Sequence, residues 1–232
     1  MEAKIISIQI GKAKSYGDKE SKNFLDKYWE SASFKDIVNY EVWVGKLGII
    51  GDEVADKVHH GGLDKAVFAN SYENYPHWRE FLKVSDIPFG ALAENLTISG
   101  LHESTVCLGD IHKIGNALLQ VSQPRKPCWK ISKKWNNKEF TNEIYTSGLT
   151  GWYYRVLEEG TIKPNDTVSI MAKNSQEISI LEANKAYENS SKYYKTLEKI
   201  LEITSLALSY ESSVIKRLNG NADLGYMKID ID

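Results

Sequence analysis

NLTISGLHESTVCLGDIHKIGNALLQVS, residues 95–122, decides the fold. Apolar and β-branched runs at Asn95–Ser99, Thr105–Leu108, His112–Ile114 and Ala117–Ser122 are punctuated by Gly100, Gly109-Asp110 and Gly115-Asn116. Short strands with such regular turn signals predict a closed or sandwiched β structure rather than a doubly wound sheet. The pattern extends in both directions. Lys4–Ile10 alternates up to Gly11, and Val38–Val44 is β-branched and aromatic until Gly45, Gly48 and Gly51-Asp52 break it. Lys65–Ala69 is short and apolar; Thr161–Asp166 holds a turn at Pro164-Asn165-Asp166, and Thr167–Met171 returns as a strand. Helices are expected as short pieces: Ser71 to Leu82 with a restart at Pro76, Trp129–Trp135, Glu139–Tyr145, and Thr150–Leu157 between a Thr150 cap and a Gly160 stop.

The character changes at Asn174. From Ser175 to Leu218 there is no proline or glycine, and Leu197, Ile200, Leu201, Thr204 and Leu208 recur at helical spacing. The expected class is mainly β with α. A β-barrel-like domain spans residues 1–173, a small helical unit 174–218, and a loose tail 219–232. The helical unit has too little core to stand alone, so it is expected to pack on the first domain.

Composition narrows the function classes. A net charge of −2 and a pI near 6.2 leave no global basic field for nucleic acid. Cys107 and Cys128 are too few for a disulfide scaffold. The stretch Met1-Glu2-Ala3-Lys4-Ile5-Ile6 lacks a signal-peptide core, and no apolar run reaches membrane-spanning length. The expectation is a reduced, soluble, cytoplasmic protein without a membrane partner. Arginine occurs only at positions 79, 125, 155 and 217, against many lysines, so each guanidinium position is of interest.

Four stretches can carry chemistry. In Ser122-Gln123-Pro124-Arg125-Lys126-Pro127-Cys128-Trp129-Lys130, two prolines stiffen the loop that presents a thiol. Arg125, Lys126 and Lys130 favour its thiolate, a soft metal ligand or nucleophile. An inert, buried cysteine beside a surface charge run fits the same residues. In the run from Gly51-Asp52 to Val67, His59-His60-Gly61-Gly62 precedes Asp64-Lys65. Adjacent glycines there allow an anion-binding concavity, or simply a tight loop with solvated charges. A zinc site would need more ligands than His59, His60 and Cys128. Glu94-Asn95 is a polar pair between small residues and a strand, fit to hydrogen-bond a heterocycle or to serve the fold. Arg155, in Gly151-Trp152-Tyr153-Tyr154-Arg155, can reach an anion or pair with a carboxylate.

In this order, Asp52 to Val67 with its His59-His60-Gly61-Gly62-Leu63-Asp64-Lys65-Ala66-Val67, Glu94-Asn95-Leu96-Thr97, Leu108-Gly109-Asp110, Leu119 to Cys128 and Gly151-Trp152-Tyr153-Tyr154-Arg155-Val156 resemble MOSC-domain proteins. The similarity is greatest to the bacterial YiiM type, associated with resistance to 6-N-hydroxylaminopurine, and covers residues 4–218 including a C-terminal three-helix unit. One residue departs from the pattern: Ala93 stands where the family commonly has glycine. The resemblance implies a MOSC-like β-barrel binding a molybdenum–pterin cofactor, with Cys128 as metal ligand and catalytic residue; pyridoxal phosphate is not expected. It implies an oxidoreductase that reduces N-hydroxylated small molecules of the hydroxylamino-purine type to amines. Arg125, Lys65 and Arg155 would bind the cofactor's phosphate with the Gly61 and Gly62 N–H groups, and Asn95, Ser122 and His60 would hydrogen-bond the pterin. Trp129 or Trp152 are candidates to stack the substrate, with core packing as the competing use. No flavin, haem or iron–sulfur motif is present, so electrons must come from a separate reductase or electron carrier. A homodimer is allowed for. A non-catalytic carrier of the pterin cofactor or of sulfur, and thiol chemistry at Cys128 itself, are the alternatives.

Overall fold

The computed structural model describes residues 2–57, 60–222 and 224–227. His59 and the last five residues of the expected tail, 228–232, lie outside the described residues. The chain begins with β1 (Lys4–Ile10), β2 (Lys14–Tyr16), β3 (Trp29–Ser31), β4 (Asp36–Val38), β5 (Val42–Gly45) and β6 (Gly48–Ile49). After β7 (Val67–Ser71), a short 3-10 turn leads to α1 (Tyr75–Leu82), then β8 (Leu96–Ser99), β9 (Ile111–Ile114) and β10 (Ala117–Pro124). The helices α2 (Lys130–Lys134) and α3 (Phe140–Ser147) precede β11 (Trp152–Glu158), β12 (Gly160–Ile162) and β13 (Val168–Ala172). Three helices follow: α4 (Ile180–Glu188), α5 (Tyr194–Leu201) and α6 (Leu208–Leu218).

Eight strands make one sheet in the order β13-β9-β10-β11-β7-β8-β1-β4. Its pairs are antiparallel except β7 with β8. The sheet curls until its β13 end meets β1. There Ile5 N donates to Asp166 O (3.0 Å), Asn165 N to Ile5 O (2.9 Å) and Val168 N to Ala3 O (2.8 Å). Beside these bonds the isolated Lys4–Thr167 bridge is the one β-pairing between the two ends among the described residues, so no continuous ladder closes the expected barrel. A smaller sheet, β12-β5-β6, places the β5–β6 hairpin at one mouth of the curl.

The segment 150–157, expected as a helix, is instead the strand β11. Its side chains alternate, with Trp152, Tyr154 and Val156 buried and Tyr153 and Arg155 on the other face. Aromatic and β-branched residues suit such a pleat, and period-2 burial outweighs the cap and stop signals. Thr105–Leu108 forms turns rather than a strand, apart from a Cys107–Ser179 bridge. Val38–Val44 divides between β4 and β5.

The helices of the C-terminal unit start from a capping box in which Ser179 and Glu182 satisfy each other's backbone N–H. Ile180, Leu197, Ile200 and Val214 are fully buried in the same apolar cluster as Ile5, Leu96, Leu119 and Trp152 of the sheet. Each such burial contributes about 1.5–3 kcal/mol. Leu208, counted in the apolar stripe, is exposed. Beyond α6, the chain that was expected to be loose is anchored as far as Met227. Tyr226 O accepts from Trp129 N at 3.2 Å, and Lys126 Nζ sits 4.7 Å from the Tyr226 ring centroid.

Candidate cofactor cleft

The loop that leaves β10 is aimed by a bulge. Between the pairs Val121–Tyr154 and Gln123–Tyr153 the strand β10 advances two residues against one of β11, which leaves Ser122 as the extra residue. Ser122 Oγ donates to the carbonyls of Asp64 and Tyr153, and Ser122 O accepts from Ala207 N at 3.0 Å. The residue is thus a brace between β10, the Lys65 loop and the helical unit. From this brace the chain runs through Arg125-Lys126-Pro127 to Cys128, and α2 begins two residues later. Cys128 O is held by Ile131 N (3.1 Å) and Thr141 Oγ1 (3.2 Å), which fixes the thiol-bearing residue against α3.

Cys128, Arg125, Lys65, His60, Asn95 and Lys130 all line one cleft with a cavity volume of about 140 Å³. Phe68 and Tyr153 form an aromatic wall, and Leu47–Ile49 of the β5–β6 hairpin form the opposite lip. Arg125 is 7% exposed, and its guanidinium carbon lies 5.2 Å from the Phe68 ring centroid. The Phe68 ring in turn lies 5.2 Å from that of Tyr153. Among the described residues no side chain or carbonyl accepts a hydrogen bond from the Arg125 guanidinium, and its Nη1 is buried without a partner. Burial pushes His60 down to about 4, with Arg125, Lys130 and Lys65 adding repulsion against the protonated ring. Burial also lowers Lys65, opposed by Asp64 and Asp56. The cleft therefore brings a thiol and buried cationic side chains into one wall, together with the carboxylates of Asp52, Glu53 and Asp56.

Several expected site residues are elsewhere or otherwise engaged. Gly61 and Gly62 do not line the cleft. Gly62, at φ +94°, caps the 3-10 turn Leu63–Lys65, and a Cβ there would meet nothing within 4 Å. Its glycine serves a left-handed backbone that positions Lys65, not a close approach to a ligand. Arg155 is also outside the cleft. Its Nε and Nη2 bind Asp64 Oδ1 at 2.9 and 2.7 Å, and Nη2 reaches Leu206 O at 3.1 Å. Trp152 is fully buried in the main core, and Trp129 packs on Phe24 and Trp29 rather than on the cleft. Asn95 does line the cleft, but its amide is committed: Nδ2 donates to Asp52 Oδ2 (2.7 Å) and Gln9 O (3.2 Å), and Oδ1 accepts from Phe68 N (3.1 Å). Glu94 is fully buried and accepts from Tyr75 Oη, Gly90 N, Leu92 N and Thr97 Oγ1, a structural use. Ala93 lines the cleft at φ +72°, adopting the left-handed backbone of the glycine usual there.

Lys35 and Asp52 escaped the sequence reading. Asp52 Oδ1 accepts from Gly11 N at 2.7 Å and from Lys35 Nζ. This buried pair joins Asn95 in the cleft floor, and burial lowers Lys35 while Asp52 opposes the shift. Asp52 stands in the quoted glycine run, but Lys35 lies 17 residues upstream in a polar stretch with no pattern to mark it. Phe68 and Tyr153 could have been found from the alternation of β7 and β11, whose two strands pair at these residues.

The arrangement defines a class: a curled sheet whose strand ends hold a thiol and a buried, acceptor-free guanidinium around one cleft. Residues 56–169 match the MOSC domain family. The chain is 36% identical to the uncharacterized protein YflK of Bacillus subtilis over 92% of this chain and 93% of that protein. The crystal structure of YiiM from Geobacillus stearothermophilus superposes with a TM-score of 0.77 at 32% identity, covering 93% of this chain and 99% of that one. A protein of Gibberella moniliformis described as a reductase is 35% identical over 65% of this chain but only 27% of its own length. The chain belongs to the MOSC-domain family, in its YiiM type. Its function is accordingly of the kind associated with the molybdenum cofactor.

Proposed function

We propose that the cleft binds a molybdenum–pterin cofactor and that the protein reduces N-hydroxylated compounds of the hydroxylamino-purine type to amines. The observation that carries this reading is the Arg125 guanidinium, buried beside Lys65 and Cys128 with no protein acceptor. A desolvated cation is costly unless an anion compensates it, and a phosphate-bearing ligand supplies that anion in bidentate form. Arg125 and Lys65 would hold the phosphate, and the Cys128 thiolate would ligate the metal as a soft donor. Phe68 and Tyr153 would flank the ring system. When bound, the cofactor supplies two-electron reduction with transfer of the hydroxyl oxygen.

The net reaction is R–NHOH + 2 e⁻ + 2 H⁺ → R–NH₂ + H₂O, with electrons from a separate reductase or carrier. His60, neutral at pH 7, accepts a hydrogen bond from the ligand rather than adding a further charge to the cluster. The Leu47–Ile49 lip narrows the opening, and the buried Lys35–Asp52–Asn95 chain holds the cleft floor rigid. The test is anaerobic turnover of a hydroxylamino-purine by protein from a molybdenum-replete host, with reduced viologen as donor. One amine per two viologens oxidised is expected. Molybdenum-loaded protein with no turnover would favour the carrier alternative instead.

A further inference from the structure

Arg125 borders a second, smaller chamber, of about 20 Å³, between the sheet and the helical unit. About 10–15 Å³ suffices for one water-sized particle. Its walls include Tyr145 of α3, Asn184 of α4, Tyr210 of α6, Tyr226 and Lys126. Arg125 Nη1 and the hydroxyls of Tyr145 and Tyr210 are buried without a hydrogen-bond partner, whereas the Tyr226 hydroxyl interacts with that of Tyr187 on the same wall. Orphaned polar groups are rare in protein interiors, and three of them around one small space point to a shared partner.

The chemistry of the walls selects that partner. Arginine only donates, and phenols donate readily. Burial raises Tyr145, Tyr210 and Tyr226 above their ordinary range, so each keeps its proton at neutral pH. Among the described residues no carboxylate borders the chamber, while Arg125 and Lys126 do. Arg217 adds positive potential at Tyr145 and Tyr226 from outside the wall. Glu188, whose charge also reaches Tyr145, does not line it. Donors, positive potential and room for one particle together describe a small-anion site.

We propose that this chamber holds one halide-sized monovalent anion, bound by Arg125 and the phenols of Tyr145 and Tyr210, distinct from the cofactor cleft. The anion would tie α3, α6 and the Tyr226 segment to the loop that carries Cys128, since Trp129 N already donates to Tyr226 O. The anion would take Arg125 Nη1, the orphaned atom that also supports the cofactor reading, so the other guanidinium nitrogens would be left to the cleft. The assignment is tested with crystals soaked in sodium bromide, and with melting of the full chain in bromide against gluconate at equal ionic strength. The expected result is an anomalous bromide peak in the chamber, with Tm raised by about 3–6 °C at ten times Kd. In the Tyr145→Phe/Tyr210→Phe variant the halide-dependent rise should be lost, with no fall in Tm in gluconate, because only orphaned hydroxyls are removed. Bromide confined to the cleft, a chamber holding density of water strength only, or a halide response that survives the double variant would overturn the assignment. The soak of wild-type crystals decides the matter even if the double variant fails to fold.

Discussion

Ala93 holds a left-handed backbone, φ +72°, in the wall of the cleft. An L side chain there costs roughly 1–2 kcal/mol relative to the right-handed region. Part of that is offset because glycine loses more chain entropy on folding. Ala93→Gly is expected to stabilise by about 0.5–1 kcal/mol and raise Tm by about 1–4 °C; calorimetry showing a lower Tm would contradict the strain. Arg125 gives the opposite kind of test. Arg125→Gln removes an uncompensated buried cation, so in halide-free buffer the ligand-free protein should melt no lower than wild type. Its affinity for inorganic pyrophosphate, read by titration calorimetry, should fall about tenfold or more. At this scale the proline-flanked Arg125–Cys128 loop was legible because residue types and spacing carried its chemistry. Asn95 was legible as a polar residue in apolar surroundings and Ser122 only through the resemblance, but neither in its duties, because the partners Asp52, Gln9, Asp64 and Tyr153 are distant in sequence.

At the scale of elements, β11 shows how a strand was read as a helix. Thr150 and Gly160 mark ends, yet Trp152, Tyr154 and Val156 face one side and Tyr153 and Arg155 the other. A seven-residue segment is too short for end signals to outweigh alternation. The same alternation sends Arg155 away from the core to clamp Asp64 and Leu206 O. Arg155→Ala should therefore destabilise by about 1.5–3 kcal/mol, seen as a lower urea midpoint. Pyrophosphate affinity should stay within about threefold, because Lys65 keeps its own position from the Gly62 turn. A large affinity loss at unchanged stability would instead assign Arg155 to the anion site. The Cys107 segment failed as a strand because its ladder partner is the start of the helical unit, which local pattern does not reveal.

Across the whole molecule, the change from strands to helices beyond β13 was legible from a change in punctuation and period near Asn174. That the helical unit packs on the first part was legible from its small core, but which residues meet there, and that Tyr226 reaches back to the Cys128 loop, was not, because those contacts depend on tertiary placement. The buried histidines make a global prediction. Burial pushes His60 and His112 down to about 4, whereas an unfolded histidine titrates near 6.5. Between about pH 6.5 and 4 the unfolded chain binds more protons, so stability falls as pH drops through that window and is insensitive to these groups above it. Each histidine contributes about 1.4 kcal/mol per pH unit there. Burial raises Glu103 and acts in the reverse sense, so the His60 share is read as the difference between wild type and His60→Gln in urea titrations at several pH values. Identical pH dependence in the two would contradict the buried, cation-surrounded ring. The central claim, that Cys128 grips molybdenum in a cationic cleft, is tested most directly by metal analysis and molybdenum X-ray absorption on protein from a molybdenum-replete host. Near one molybdenum per chain is expected, with one sulfur lost from its coordination shell in Cys128→Ser. Wild-type protein without molybdenum, or a Cys128→Ser variant with an unchanged sulfur shell, would contradict the account.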